Sequence, residues 1–123
     1  MGRITWFEYF TEDAKKDVAF YKEAFGWESQ QWGDMPYWLV MTGDKSLPGI
    51  DGAIAPPPME GMTQRVVCTM SVDDNDAAVA KAVAAGAKVV VPKRAVPGSG
   101  WLSYLTDPAG IVFGMMQYDA TAK

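Results

Sequence analysis

The chain of 123 residues contains no histidine and one cysteine, Cys68. Catalytic zinc, nickel and iron sites usually include imidazole, and histidine is the commonest general base near neutral pH. A lone cysteine cannot form a disulfide within the chain, which favours a reducing compartment, and we expect a cytoplasmic protein. Without a histidine to activate it, Cys68 is expected to be a small buried apolar residue rather than a nucleophile.

Positive charge and long apolar runs are also scarce. Eleven Lys and Arg against 15 Asp and Glu give a net charge of −4, so attraction to a phosphate backbone is not expected. No apolar run approaches the ~20 residues of a membrane helix. The N-terminal segment enters a strand-like pattern directly, without a basic leader or a cleavage site. We therefore expect neither a nucleic acid nor a membrane as a partner.

Large apolar side chains are abundant. Five Trp, five Tyr, five Phe and eight Met occur in this short chain, and they supply polarisable contact surface. A densely packed core and a cavity lined for a ligand both account for this composition.

The first half of the chain is predicted to fold in the order strand, helix and three strands. Apolar side chains alternate along 4–10, which is typical of a strand. Residues 11–13 provide helix-capping chemistry, and a helix is predicted from Ala14 to a stop at Gly26. Turn residues separate three further predicted strands, at 27–32, 36–42 and 49–55. The apolar face of the helix comprises Ala14, Val18, Tyr21 and Phe25.

The second half repeats this order after a linker at 56–64. The linker begins with three prolines, which cannot belong to a central strand because proline lacks the N–H donor. Trp6 matches Val67 and Asp13 matches Asp74, a constant offset of 61 residues, which indicates a duplicated unit. Strands are predicted at 65–72, 88–92, 101–106 and 111–118, and a helix at 77–85, capped by 73–76 and ended by Gly86.

These elements predict a single α+β domain spanning residues 1–123. Module one covers 4–55, the linker 56–64 and module two 65–118, and each module has the order βαβββ. The alternative is a ferredoxin-like α+β domain whose halves are alike by chance.

An ordered set of short motifs resembles the vicinal oxygen chelate superfamily, which includes glyoxalase I, fosfomycin- and bleomycin-resistance proteins and extradiol dioxygenases. The resemblance covers 4–117 and implies that the mixed sheets of the two modules curl around a shared cavity, with the helices on the convex side. The motifs are Trp6-Phe7-Glu8, Ala19-Phe20-Tyr21, Phe25-Gly26-Trp27, Val72-Asp73-Asp74, Leu105-Thr106-Asp107-Pro108-Ala109-Gly110 and Phe113-Gly114.

The resemblance also implies where a metal would lie in metal-dependent members. Three of the four ligand positions fall on Trp6, Val67 and Gly114, and the fourth falls near 51–53. Tryptophan, valine and glycine offer no lone pair for a divalent cation, so only Asp51 could contribute. We therefore expect no metal and no cofactor.

Strand alternation within the implied fold predicts which side chains face the cavity. Glu8 and Tyr104 are the candidate catalytic residues, because burial of Glu8 among aromatic rings should raise its pKa towards the range useful for acid–base chemistry. Trp6 either fills the cavity or forms a stacking wall, and Gly114 is expected to leave room beside it. The predicted ligand-binding set is Trp6, Glu8, Val67, Thr69, Leu102, Tyr104, Gly114 and Met116.

Two basic residues, Lys93 and Arg94, are predicted to lie in a flexible loop near the cavity mouth. That position, implied by the resemblance, leaves them either solvated or in contact with an anionic ligand. The sequence does not decide between these roles.

These observations predict a metal-independent protein that binds a small molecule in an aromatic-lined cup, as bleomycin-resistance proteins do. The alternatives are a lyase, isomerase or dioxygenase-type enzyme that uses Glu8 or an unplaced metal, and a structural dimer with a filled cup. A homodimer is expected because a half-cup has an open sheet edge. The stiff linker favours exchange of modules between two chains.

Overall fold

The computed structural model describes residues 2–123, so Met1, the first residue of the predicted domain, lies outside the described residues. The elements are β1 (Arg3–Phe10), α1 (Ala14–Phe25), β2 (Glu28–Gln31), β3 (Trp38–Met41), β4 (Gly52–Ala55), β5 (Val66–Ser71), α2 (Asn75–Ala84), β6 (Lys88–Val96), β7 (Gly100–Thr106) and β8 (Val112–Tyr118). The predicted order βαβββ is present twice. The chain divides into two compact units, Trp6–Val67 and Cys68–Lys123, and residues 2–5 group with the second. A single domain over 1–123 stays a prediction.

The first module forms a mixed sheet in the order β2-β3-β4-β1. Strand β1 runs parallel to β4, and the other neighbours are antiparallel. Helix α1 covers one face, where Val18 and Tyr21 pack against a core that includes Phe7. Because side chains alternate along a strand, Trp6 and Glu8 lie on the face turned away from α1, as the alternation predicts.

Helix α1 begins and ends where the sequence predicts. The Asp13 side chain accepts a hydrogen bond from the Lys16 N–H at its start, and Gly26 adopts φ 75° at its end. Glycine reaches this left-handed conformation without strain. The prediction for the apolar face of α1 is wrong at its last residue: Phe25 is 66% exposed and does not belong to the buried face.

The second module forms a mixed sheet in the order β5-β8-β7-β6, with β5 parallel to β8. Helix α2 begins at Asn75, two residues earlier than predicted, after the cap Asp74. Ser103 Oγ donates to Asn75 Oδ1 at 2.7 Å, so Ser103 faces α2. By alternation Leu102 and Tyr104 lie on the opposite face.

Strand β6 is longer than predicted. It continues through Pro92 to Val96, with register shifts between Val89 and Val91 and between Val91 and Arg94. Proline cannot donate to a ladder and is tolerated at such irregularities, so the strand resumes after it. The prediction that Lys93 and Arg94 lie in a flexible loop is therefore wrong.

None of the helices within residues 2–123 is long and apolar enough to span a membrane. The longer of the two, α1, has 12 residues, whereas a spanning helix needs about 20.

Candidate functional site

The first module holds a buried carboxylate on the face turned away from α1. Glu8 is 3% exposed, and the Tyr37 hydroxyl donates to Glu8 Oε2 at 2.9 Å. Tyr37 precedes β3 and is held by a tight loop, in which the Trp32 N–H donates to the Tyr37 carbonyl at 2.9 Å. A hydrogen bond to a carboxylate stabilises its charged form.

Tyr37 is absent from the predicted site, although a signal for it exists in the register. Glu8 is opposite Ala53, and Ala53 is opposite Leu39. Residues directly opposite share a face of the sheet, and Tyr37 lies two positions before Leu39. Alternation along β3 would therefore place Tyr37 on the Glu8 face, but only if the pairing of β3 with β4 were known.

The second module aligns three predicted site residues in one row across the sheet. Thr69 is opposite Gly114 on β8, and Gly114 is opposite Tyr104 on β7. Thr69 and Tyr104 are 3% and 2% exposed. Within the part of the chain that the structure describes, Thr69 Oγ1 is buried without a hydrogen-bond partner. Buried polar atoms of this kind are rare and mark positions where a ligand or water can bind.

The space beside Gly114 is occupied. A Cβ atom at Gly114 would lie 2.6 Å from Thr69 Oγ1, well inside van der Waals contact. Gly114 thus permits the close approach of Thr69, and the expectation that it leaves an open space is wrong.

Gly114→Ala is expected to lower the free energy of unfolding by about 1–3 kcal/mol, the usual cost of overpacking. Thr69→Ala in the same chain should restore most of the loss, because it removes Oγ1. Gly43→Ala is the matched control, since no atom of residues 2–123 other than Gly43 and its two chain neighbours lies within 4 Å of the added Cβ. Urea unfolding measures all four proteins. Equal stability of the Gly114 and Gly43 variants would contradict the close contact.

The other predicted ligand-binding residues differ in burial. Val67 is fully buried in β5, and Met116 is 8% exposed. Trp6 and Leu102 are half-buried. Leu102 and Met116 are direct partners and form a second row beside that of Thr69. The structure therefore brings together Trp6 with Glu8 in one unit, and Thr69, Gly114 and Tyr104 with Leu102 and Met116 in the other.

The residues at the positions of a superfamily metal do not fit a metal ion. Trp6 and Val67 carry no ligating atom, and any side chain at Gly114 would meet Thr69. Asp51 Oδ1 accepts a hydrogen bond from the Thr42 N–H at 2.9 Å. This carboxylate therefore links the end of β3 to the start of β4. Among residues 2–123 no three Cys, Asp or Glu side chains gather in a metal-binding group.

Much of the aromatic content packs between the first sheet and α1. Tyr21 stacks on Trp27 with ring centroids 4.5 Å apart, and Phe7 contacts Tyr9 at 4.9 Å. Desolvation raises the pKa of the Tyr21 phenol, and Tyr9 and Asp17 act in the same direction. These rings are part of the packed core. For them, the abundance of aromatic residues is explained by dense packing.

Cys68 is half-buried rather than buried. It adjoins Thr69 on β5 and therefore lies on the opposite face of the sheet. The expectation that Cys68 is buried is therefore wrong, because its side chain is only partly covered.

Comparison with protein families and with curated proteins finds similar sequences. Residues 6–116 match the family described as Glyoxalase-like domain. Two proteins named putative glyoxylase CFP32, from Mycobacterium bovis and Mycobacterium tuberculosis, are each 29% identical over 119 residues, which cover 94% of this chain. The match covers 44% of each relative, so the chain spans less than half of their length.

Solved structures share the fold at low sequence identity. A glyoxalase/bleomycin resistance protein/dioxygenase superfamily member from Vibrio splendidus 12B01 has a TM-score of 0.68 at 15% identity, over 97% of this chain and all of that one. A methylmalonyl-CoA epimerase variant from Streptomyces coelicolor, in complex with 2-nitronate-propionyl-CoA, has a TM-score of 0.66 at 17% identity, over 98% and 97%. These likenesses establish the α+β fold that the motifs imply. With 6–116 matched, the chain belongs to the glyoxalase-like domain family.

Proposed function

We propose that this chain is a metal-independent binding protein for a small molecule, of the glyoxalase/bleomycin-resistance type and located in the cytoplasm. The observation that carries the proposal is the buried Glu8 carboxylate, 2.9 Å from the Tyr37 hydroxyl, on a sheet face that no helix of its module covers. Burial of a charged group is costly and is usually compensated by hydrogen bonds. A ligand donor is a natural further partner, because a carboxylate accepts several hydrogen bonds. Cell fractionation checks the location.

The polar and apolar groups have separate roles in this proposal. In the first module, Glu8 and Tyr37 orient a hydrogen-bond donor of a ligand. Trp6 provides a ring face for stacking. In the second module, considered by itself, Thr69 offers a hydroxyl that both donates and accepts. Leu102 and Met116 offer apolar contact there, as ligand sites combine apolar walls with a few polar groups.

A second candidate function is that of a lyase or isomerase in which Glu8 transfers a proton. The buried Glu8–Tyr37 pair favours it, because a positioned carboxyl group beside a phenol is suited to general acid–base catalysis. Tyr104, on β7 of the second module, remains a separate candidate for a catalytic role. Turnover of a bound ligand by the unmodified protein, lost in Glu8→Gln, would favour this enzyme over the binding protein.

A thermal-shift screen of small molecules on chelator-treated protein tests the proposed function. We expect the chelator to leave the Tm unchanged and some compounds to raise it in proportion to the logarithm of their concentration. A ligand at 100 times its Kd adds about 2.7 kcal/mol to the free energy of unfolding. Elemental analysis is the control. About one Zn, Ni, Fe or Mn per chain, or hits that disappear with the chelator, would contradict metal independence.

We further propose that the protein is a homodimer. Several large apolar side chains are exposed, including Phe20 at 56% and Ile111 at 56%, and exposed apolar surface favours association. The proline-rich segment 56–58 favours the form in which two chains exchange modules. Light scattering at micromolar concentration should give twice the mass of one chain, whereas a monomer would refute the proposal.

A further inference from the structure

The register of β6 brings two neighbouring cations, Lys93 and Arg94, to opposite faces of the second module's sheet. Val91 is opposite Tyr104 and Arg94 is opposite Leu102, so three steps along β6 correspond to two along β7. This register shift, like a β-bulge, changes the direction of the side chains that follow it. In a regular ladder Lys93, rather than Arg94, would share a face with Leu102.

Lys93 is engaged on the helix side of the sheet. Its Nζ lies 2.9 Å from Asp76 Oδ2 on α2 and 5.2 Å from the centroid of the Trp101 ring. Trp101 is two residues from Ser103, which faces α2, so alternation places this ring on the same side. The charge of Lys93 is therefore used to join β6 to α2.

Arg94 is available on the face that carries the proposed ligand contacts. It is exposed, and it forms no ion pair or hydrogen bond with residues 2–123. Its register partner Leu102 is opposite Met116, and this row adjoins the row of Tyr104, Gly114 and Thr69. A guanidinium group presents a planar fork of donors that matches the two oxygens of a carboxylate.

We propose that Arg94 recognises a carboxylate, and that the ligand is a small organic acid with one carboxylate and an apolar body. This inference rests on the proposed function and adds the chemical class of the ligand. One cation matches one negative charge, and the net charge of −4 disfavours polyanions. The apolar body is inferred from Leu102 and Met116, which lie next to Arg94 in the row.

The strand order also gives the ligand a shape. Strands β7 and β8 lie between β6 and β5. At a spacing of ~4.8 Å between neighbouring strands, Arg94 on β6 is about 14 Å from the strand of Thr69. An acid that contacts both residues is therefore elongated, with its carboxylate at the β6 end and a polar group at the other.

Matched acid and amide pairs test the inference directly. The first pair of probes is hexanoate and hexanamide, and the second is 3-phenylpropionate and 3-phenylpropanamide. Each probe is titrated, by NMR or calorimetry, into the unmodified protein and into the variants Arg94→Met, Arg94→Lys and Lys93→Met. The unmodified protein should prefer each acid over its amide. Arg94→Met should lower the affinity for the acids roughly 10-fold or more, because a charge-assisted hydrogen bond is lost. The affinity for the amides should be unchanged. Arg94→Lys should recover part of the affinity.

Lys93→Met is the matched control, because it removes the same charge from the opposite face of the sheet. Acid affinity should be unchanged in this variant, and circular dichroism with a melting curve shows that each protein is folded. Equal losses in the Lys93 and Arg94 variants would overturn the inference, because the effect would then reflect net charge. Amides that bind the unmodified protein as tightly as the acids would overturn it while the proposed function stands. If neither these probes nor any compound of the screen binds, both fall.

Discussion

Replacing Asn75 by alanine is expected to lower the free energy of unfolding by about 3 kcal/mol or more, since it leaves several buried polar groups without partners. Asn75 is fully buried, and its Nδ2 donates to the carbonyls of Trp101 at 3.2 Å and Met115 at 3.1 Å. Its Oδ1 accepts from Ser103 Oγ at 2.7 Å. The side chain thus joins the start of α2 to β7 and β8, the strands that carry Tyr104 and Gly114.

Urea unfolding measures this loss, and Asp73→Ala is the control. Asp73 is an exposed residue two positions away, and a substitution there should stay within about 0.5 kcal/mol. Ser103→Ala, alone and combined with Asn75→Ala, completes a double-mutant cycle whose coupling reports the shared hydrogen bond. An Asn75 variant as stable as the Asp73 variant would show that the network does not stabilise the module.

Glu8→Gln is expected to lower the affinity for ligands that carry a hydrogen-bond donor roughly 10- to 100-fold, because a charge-assisted hydrogen bond contributes about 1.5–3 kcal/mol. Tyr37→Phe should weaken the binding of the same ligands by less, since Glu8 keeps its carboxyl group and loses the hydrogen bond of 2.9 Å. Calorimetry with hits from the thermal-shift screen measures both. Ligands without a donor should be affected little.

Glu28→Gln and Tyr118→Phe are matched controls for these two substitutions. The Glu28 side chain is 68% exposed and Tyr118 is 58% exposed, so neither change should alter ligand affinity. If the Glu8 and Tyr37 variants bind every hit as tightly as the unmodified protein, the ligand binds elsewhere on the chain.

Local chemistry accounts for the features that could be predicted. The cap at Asp13 and the stop at Gly26 depend on residues within one turn of the helix end, so the bounds of α1 could be read directly from the chain. The alternation of β1 likewise predicts that Phe7 faces the helix and Glu8 the opposite side. The set of motifs is also a property of the chain, and it predicts the family that residues 6–116 match.

Cross-strand pairing decided the rest of the candidate site. Tyr37 reaches Glu8 across 29 positions of sequence, and Thr69 meets Gly114 only because β5 and β8 pair in that register. The irregularity at Pro92 turns Arg94 rather than Lys93 towards the face of Leu102. The order of elements, the ends of α1 and the two faces of β1 could be predicted because they depend on neighbouring residues. The partners of each polar side chain were decided by the tertiary structure, because a shift of one residue in register moves a side chain to the other face of the sheet.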